Sequence, residues 1–318
     1  MTILTLLAGL VLLCIGGEIL VRGAVGAAQA FRVSPLLIGL TIVGFGTSTP
    51  ELVTSVIAAN EGSPGIAVGN VVGSNIANIL LILGISALIV PLAVKPAAFG
   101  RDGSVLVVST VACLLAVLAG FLSPLIGGLL VALLVAYIGW AFVKERQSGE
   151  GAGETHEHMA ADAAPPPRTR LALSIALTIG GIGGTILGAR LLVSAAIELA
   201  TGMGISETVI GLTVVAVGTS LPEMVACIIA ALRGHADVCL GNVIGSNIYN
   251  VFGILGLTAI IHPIAVPAEI AALDIWILVG ATLLLMVFMR TSWRLSRAEG
   301  GVFVAAYAGY LGYLASVA

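Results

Sequence analysis

The sequence predicts an all-α integral membrane protein, with ten transmembrane helices arranged as two inverted five-helix repeats. Three observations predict it. The chain is too poor in charge to face water, its basic residues sort to one side of a ten-span reading, and its halves repeat each other at a fixed offset of 172 residues.

Of the 318 residues, 59% are hydrophobic and only 9% charged, and the mean hydropathy is +1.16. A soluble domain carries about 25% charged residues, so this chain lacks the means to cover a solvated surface. Its apolar runs are on the order of 20 residues, the length an α-helix needs to cross a bilayer core about 30 Å thick. Glycine is abundant at 41 residues and aromatics make up only 5%, which suits close helix packing in lipid better than the aromatic girdles of a β-barrel.

The spans fall at about 3–22, 35–60, 65–90, 103–121, 124–143, 170–194, 206–232, 237–261, 271–289 and 301–317. This reading places Arg22, Arg32, Lys95, Arg101, Lys144, Arg146, Arg168, Arg170, Arg233, Arg290, Arg294 and Arg297 on one side. Only Arg190 falls on the other, so twelve of the thirteen Lys and Arg share a face. The positive-inside rule makes that face cytoplasmic. The sequence therefore predicts a multi-pass protein of the cell membrane with both termini outside.

The repeat is read by direct comparison. Ile38–Gly84 lies over Ile210–Gly256 without a gap, with identity at 26 of 47 positions, and Val21 over Val193 and Ser34 over Ser206 extend it upstream. Five spans per half is an odd number, so the second half starts from the opposite side of the membrane, an arrangement found in many secondary transporters. The expected organisation is a first repeat at 1–143, a cytoplasmic linker at 144–169 and an inverted second repeat at 170–318. The linker holds the only long polar stretch and the run Pro165-Pro166-Pro167, a composition that reads as flexible.

Ionisable residues inside apolar spans mark function. The second span carries Gly46-Thr47-Ser48-Thr49-Pro50-Glu51, and the seventh carries Gly218-Thr219-Ser220-Leu221-Pro222-Glu223. Proline withholds the backbone donor that would satisfy the carbonyl four residues earlier, here Gly46 and Gly218. Thr47 and Ser48 share a helix face with Glu51. Each motif thus offers carboxylate, hydroxyl and loosened carbonyl oxygens, the hard ligands that Ca²⁺ takes in sets of six to eight at about 2.3–2.6 Å.

The third and eighth spans carry Gly69-Asn70-Val71-Val72-Gly73-Ser74-Asn75-Ile76-Ala77-Asn78 and Gly241-Asn242-Val243-Ile244-Gly245-Ser246-Asn247-Ile248-Tyr249-Asn250. Asn70, Ser74 and Asn78 recur every four residues as a polar stripe, and Gly69 with Gly73 predicts a face for tight helix packing.

These doubled motifs, with the ten-span count and single linker, resemble the alpha-repeats of the calcium/cation antiporter superfamily, specifically its prokaryotic-type sodium/calcium exchangers. The resemblance implies a secondary antiporter exchanging Ca²⁺ for Na⁺, with three Na⁺ per Ca²⁺. It implies Glu51 and Glu223 as central Ca²⁺ ligands, with backbone oxygens of Thr47 and Thr219 serving Ca²⁺ and Na⁺. It implies Ser48, Ser220, Ser74 and Ser246 as hydroxyl ligands of flanking Na⁺ sites, joined by carbonyls at Gly44 and Ala216. Asn78 and Asn250 match central positions where some members carry Asp, so two acidic groups are expected in the site. A Ca²⁺/H⁺ exchanger and a K⁺-dependent Na⁺/Ca²⁺ exchanger are the alternatives.

Other readings fare worse. A membrane phosphatase wants Arg or Lys to hold an anion, and no basic residue lies near either motif. A channel fits paired charges at one midplane site less well than alternating access does. No enzyme activity, cofactor, nucleic-acid partner or obligate protein partner is expected beyond the transported ions and the lipid bilayer. Cys14, Cys113, Cys227 and Cys239 read as small buried hydrophobes without a disulfide framework. The first residues lack the basic region of a cleaved signal peptide. His156, Glu157 and His158 read as solvated, and His235 and His262 as interfacial. Glu18 and Arg190 read as snorkelling residues, and Arg32 and Arg101 with Asp102 as topological anchors.

Overall fold

The computed structural model describes residues 2–31, 35–60, 62, 64–96, 99–148, 168–202 and 216–317. Predicted residues Arg32, His156, Glu157, His158 and Ile210–Val215 of the second repeat lie outside them. Helices dominate. In chain order they are α1 (Thr2–Phe31), α2 (35–47), α3 (Thr49–Asn60), α4 (Pro64–Ile89), α5 (Phe99–Leu118) and α6 (Pro124–Ser148). They continue with α7 (Arg168–Gly202), α8 (Ala216–Thr219), α9 (Leu221–Leu232), α10 (Ala236–Ile261), α11 (Ile270–Thr291) and α12 (Arg297–Val317).

Seven of these are long and apolar enough to cross a membrane, and the bent pair α2–α3 makes an eighth. The protein is a multi-pass membrane protein. Helix α9 is apolar but has only 12 residues, and the chain before α8 lies outside the described residues. Helices overrun several expected span ends. α1 runs to Phe31, α6 through Ser148, and α7 starts at Arg168, so both edges of the expected linker are helical.

The described elements recur at the sequence offset. π-helical turns occupy Asn78–Leu83 in α4 and Asn250–Leu255 in α10, and Phe99–Gly103 in α5 and Ile270–Asp274 in α11. Four two-residue strands interrupt the all-helical expectation: β1 (Leu92–Ala93), β2 (Phe121–Leu122), β3 (Ile264–Ala265) and β4 (Arg294–Leu295). They pair across the halves, antiparallel, Leu92 opposite Leu295 and Leu122 opposite Ile264. Gly62 and Gly234 turn the α3–α4 and α9–α10 hairpins with φ of 74° and 80°, a conformation glycine adopts freely. Gly120 ends α5 at φ 73°, whereas the matching turn after α11 uses Trp293 at φ 51°. The Trp293 ring is held edge-on by Phe99 at 5.5 Å and capped by Arg290 at 4.7 Å.

Small residues let backbones touch, as lipid-embedded helices require. α1 lies along α7, where a Cβ on Gly16 would meet the Thr185 nitrogen at 2.7 Å and one on Gly188 the Leu13 nitrogen at 2.6 Å. α2 lies against α10, with Gly39 facing the Val238 carbonyl and Gly245 facing the Leu40 backbone. The expected packing face on α4 is corrected. A Cβ on Gly69 would have its nearest described neighbour, Ile270, at 3.8 Å, and one on Gly73 none within 4 Å. Both glycines face a cavity instead.

Basic residues gather where the halves meet at one end. Arg22 and Arg233 share Glu18, Lys95 lies 3.6 Å from Asp237, and Arg297 donates to the Ile89 carbonyl at 3.2 Å. Glu18 is thus an ion-pair partner, not merely a snorkelling side chain. The cysteine reading is also corrected. Cys227 and Cys239 form a disulfide, and Cys14 is exposed on the helix surface. The α9–α10 hairpin turns near Arg233, six residues from each cysteine, so antiparallel packing brings them opposite with Cα atoms 4.2 Å apart. Cys113 is buried, as expected.

Candidate cation site

Each Pro-Glu motif breaks its helix at the serine. Ser48 adopts φ −83° and ψ 10°, and Ser220 φ −88° and ψ 6°. Pro50 offers no N–H to continue the ladder, and the chain bends by 48° between Gly39–Thr47 and α3. Glu51 and Glu223 consequently stand in the first turns of α3 and α9, where the positive end of the helix dipole favours a carboxylate. Both are 1% exposed.

The motifs then interlock. Ser48 Oγ donates to Glu223 Oε1 at 2.8 Å, and Ser220 Oγ donates to Glu51 Oε1 at 3.4 Å. Each carboxylate is held by the serine that precedes the other by three residues. Asn70 Nδ2 donates to the Glu51 carbonyl at 3.0 Å, and Asn242 Nδ2 to the Glu223 carbonyl at 3.4 Å, so α4 and α10 each grip the glutamate helix of their own half. Thr47 Oγ1 bonds the Val43 carbonyl at 3.0 Å and lies 3.4 Å from Asn242 Oδ1. Ser246 Oγ donates to the Gly44 carbonyl at 3.3 Å.

A second cross-half set joins α4 to α10. Asn78 Nδ2 donates to Asn247 Oδ1 at 3.3 Å, and Asn250 Nδ2 to Asn75 Oδ1 at 2.9 Å. Asn75 Nδ2 also reaches the Asn247 carbonyl at 3.2 Å. Asn75 and Asn247 are missed by a 3.6-residue stripe, because each sits one position off it. Their identity in both repeats is the signal that marks them.

The predicted residues thus fall into three groups. Glu51, Glu223, Ser48 and Ser220 form one hydrogen-bonded set, Asn78 and Asn250 belong to a second, and Thr47, Gly44 and Ser246 to a third. Ser74 and Thr219 wall an adjoining cavity of about 340 Å³. Ala216 is the first residue of α8.

What remains unpaired is informative. Among the described residues, Glu51 Oε2, Glu223 Oε2, Asn78 Oδ1 and Asn250 Oδ1 are buried without a hydrogen-bond partner, alongside Asn247 Nδ2 and Thr258 Oγ1. A buried unpaired polar atom costs about 1–3 kcal/mol, so such atoms are rare. Four of these six are carboxylate or amide oxygens, which only accept, two from each half at matching positions. Two carboxylate and two amide oxygens thus lie buried where a donor or a cation would be favourable. Among the described residues no cluster of three or more His, Cys, Asp or Glu forms a metal site; this oxygen set joins two carboxylates to two amides.

Comparison with known proteins agrees in breadth. Residues 1–143 and 173–315 match the family model described as sodium/calcium exchanger protein. The sodium/calcium exchanger MaX1 of Methanosarcina acetivorans is 35% identical, over 97% of this chain and 97% of its own. The inner membrane protein YrbG of Escherichia coli is 34% identical, over 98% of this chain and 94% of its own. The solved structure of the sodium-calcium exchanger NCX_Mj soaked with Na⁺ and Ca²⁺ superposes with a TM-score of 0.83 at 35% identity, covering 98% of this chain and 97% of that one.

Proposed function

Because the chain belongs to the sodium/calcium exchanger family, we propose that it is a secondary antiporter exchanging Ca²⁺ for Na⁺ by alternating access at the Glu51–Glu223 site. The observation that carries this reading is the set of four buried, unpaired oxygens drawn equally from both halves. Two carboxylates neutralise one Ca²⁺, and Asn78, Asn250 and the Thr47 and Thr219 backbones complete an oxygen shell of the kind Ca²⁺ takes. Ser48, Ser220, Ser74 and Ser246, with carbonyls at Gly44 and Ala216, serve the flanking Na⁺ positions.

In this reading ten spans form two inverted five-helix repeats, with both termini outside and the linker in the cytoplasm. The support is the basic asymmetry of the sequence, the gathering of Arg22, Arg233, Lys95 and Arg297 at one end, and the reciprocal Ser–Glu and Asn–Asn bonds.

Exchange is obligatory for an electrostatic reason. An empty site holds two negative charges, and carrying them through an occluded, low-dielectric state is costly. Ca²⁺ or Na⁺ cancels that charge, so the protein reorients loaded. Ca²⁺ on two carboxylates sums to zero and three Na⁺ sum to +1, so one net charge moves per cycle. That charge responds to voltage at about 2.3 kcal/mol per 100 mV. In proteoliposomes loaded with Na⁺, ⁴⁵Ca²⁺ uptake should therefore accelerate when valinomycin and K⁺ clamp the interior positive. Uptake driven by a pH gradient without Na⁺, and indifferent to voltage, would replace this reading with Ca²⁺/H⁺ exchange.

A further inference from the structure

We propose that Asp274 is a cation-collecting carboxylate at the mouth of the site, serving one face of the membrane only. The proposal deepens the exchange reading and rests on it for the identity of the ions.

The 340 Å³ cavity connects two kinds of wall. It is lined by Asn70, Ser74 and Thr219 from the motif segments and by Asp274, Tyr307 and Tyr310 from α11 and α12. At about 30 Å³ per water, it has room for a cation together with hydration waters. Asp274 is half-buried at the end of the π-helical turn Ile270–Asp274 that opens α11, and it accepts a hydrogen bond from Tyr310 Oη at 2.8 Å. Among the described residues no Lys, Arg or His pairs with it. It is a carboxylate on the wall of a cavity that reaches the motif-bearing helices at Thr54, Asn70, Ser74 and Thr219, and a carboxylate in such a low-dielectric cleft concentrates cations.

Its counterpart in the first half isolates what matters. Asp102 stands 172 residues earlier, and Tyr137 bonds it at 2.9 Å as Tyr310 bonds Asp274. Asp102, however, is 1% exposed and clasped by Arg101 through bonds of 2.7 and 2.9 Å. The residue matching Arg101 is Leu273. One position decides that Asp102 is neutralised inside the protein while Asp274 keeps its charge for the cavity. The tyrosine bond explains why an aspartate packs at both places. It does not explain why only one has its cation removed.

By the basic asymmetry of the sequence, the Asp274 cavity opens outward. The test places a cysteine at Thr54, which lines the same cavity, in a Cys14→Ser background reconstituted in liposomes. Modification rates with a cationic and an anionic methanethiosulfonate are compared with Asp or Asn at position 274. Asn keeps an acceptor for Tyr310 and loses only charge. The cationic-to-anionic rate ratio should fall about three- to tenfold in Asp274→Asn at low ionic strength, and the difference should shrink in high salt. External half-saturation for Ca²⁺ should rise by a similar factor. An unchanged ratio, or a cysteine that neither reagent reaches, overturns the proposal. The thiol ratio does not depend on transport. If the parent protein shows no Na⁺-driven uptake, the exchange reading fails while the field of Asp274 is still measured.

Discussion

Asp102 and Asp274 stand at matching places in the two halves, each one hydrogen bond from a tyrosine, and yet they live in opposite electrostatic surroundings. The first is buried with its own guanidinium, and the second faces a cavity with none among the described residues. The cavities differ in the same sense. Helices α6 and α12 occupy matching positions, but the roughly 440 Å³ cavity beside α6 is walled by groups such as Leu37, Ile38, Ile138 and Phe142. The oxygen-rich motifs at the centre are duplicated, while the surroundings of the two aspartates among the described residues are not. A repeated fold fixes backbone geometry twice, and single substitutions such as Arg101 against Leu273 then decide which carboxylate has a cation at its side.

The largest effect tests the duplicated centre. Glu51→Gln and Glu223→Gln each keep shape and polarity and remove one of two charges opposing Ca²⁺. Each should lower Ca²⁺ transport by about 1000-fold or more, roughly 4 kcal/mol, in protein that still elutes as a folded species. A large disparity between the two would break the equivalence of the halves, and near-normal uptake by either would make its carboxylate structural.

A smaller effect separates the aspartates. Asp102→Asn leaves Arg101, only 10% exposed at its side chain, facing an amide in place of a charge. The expected loss is about 3 kcal/mol of stability, read as a lowered melting temperature in detergent. Asp274→Asn has no buried cation to strand and should shift stability by less than about 1 kcal/mol. Equal losses would mean that both carboxylates serve packing alone.

The smallest effect sharpens the packing contrast. A methyl group at Gly245 runs into the Leu40 backbone, whereas none of the described residues lies within 4 Å of one at Gly73. Gly245→Ala should cost about 1–3 kcal/mol, while Gly73→Ala should stay within about 1 kcal/mol of the parent. Thermal unfolding of the pair in one detergent decides it.

Much of this was legible in the sequence because the repeat is. Identity between the halves marks Glu51 with Glu223 and Ser48 with Ser220 without any structure, and the apolar runs mark the helices. Helical periodicity carried less far. It marked Asn70, Ser74 and Asn78 but passed over Asn75, which sits one position off that stripe and whose bonds cross to the other half. Spacing also misjudged Gly69 and Gly73, since small residues serve a cavity wall as readily as a tight contact, and only the neighbour distinguishes the two. The Cys227–Cys239 pair was hidden for a related reason. A separation of 12 carries no pairing signal until a hairpin turn is known to lie midway.

That disulfide also bears on which parts of the molecule can move independently. Cys227 lies one helical turn beyond Glu223, and Cys239 lies three residues before Asn242, with Ser246 and Asn250 further along the same helix. At the matching place in the first half, Ser55 merely donates to the Ala67 carbonyl at 3.3 Å and accepts from Asn70 at 2.9 Å. Half of the oxygen cage is therefore riveted to a single stiff bracket, and the other half is laced by hydrogen bonds that can be retied. The disulfide limits slippage between α9 and α10, a constraint that the hydrogen bonds of the matching first-half hairpin do not reproduce.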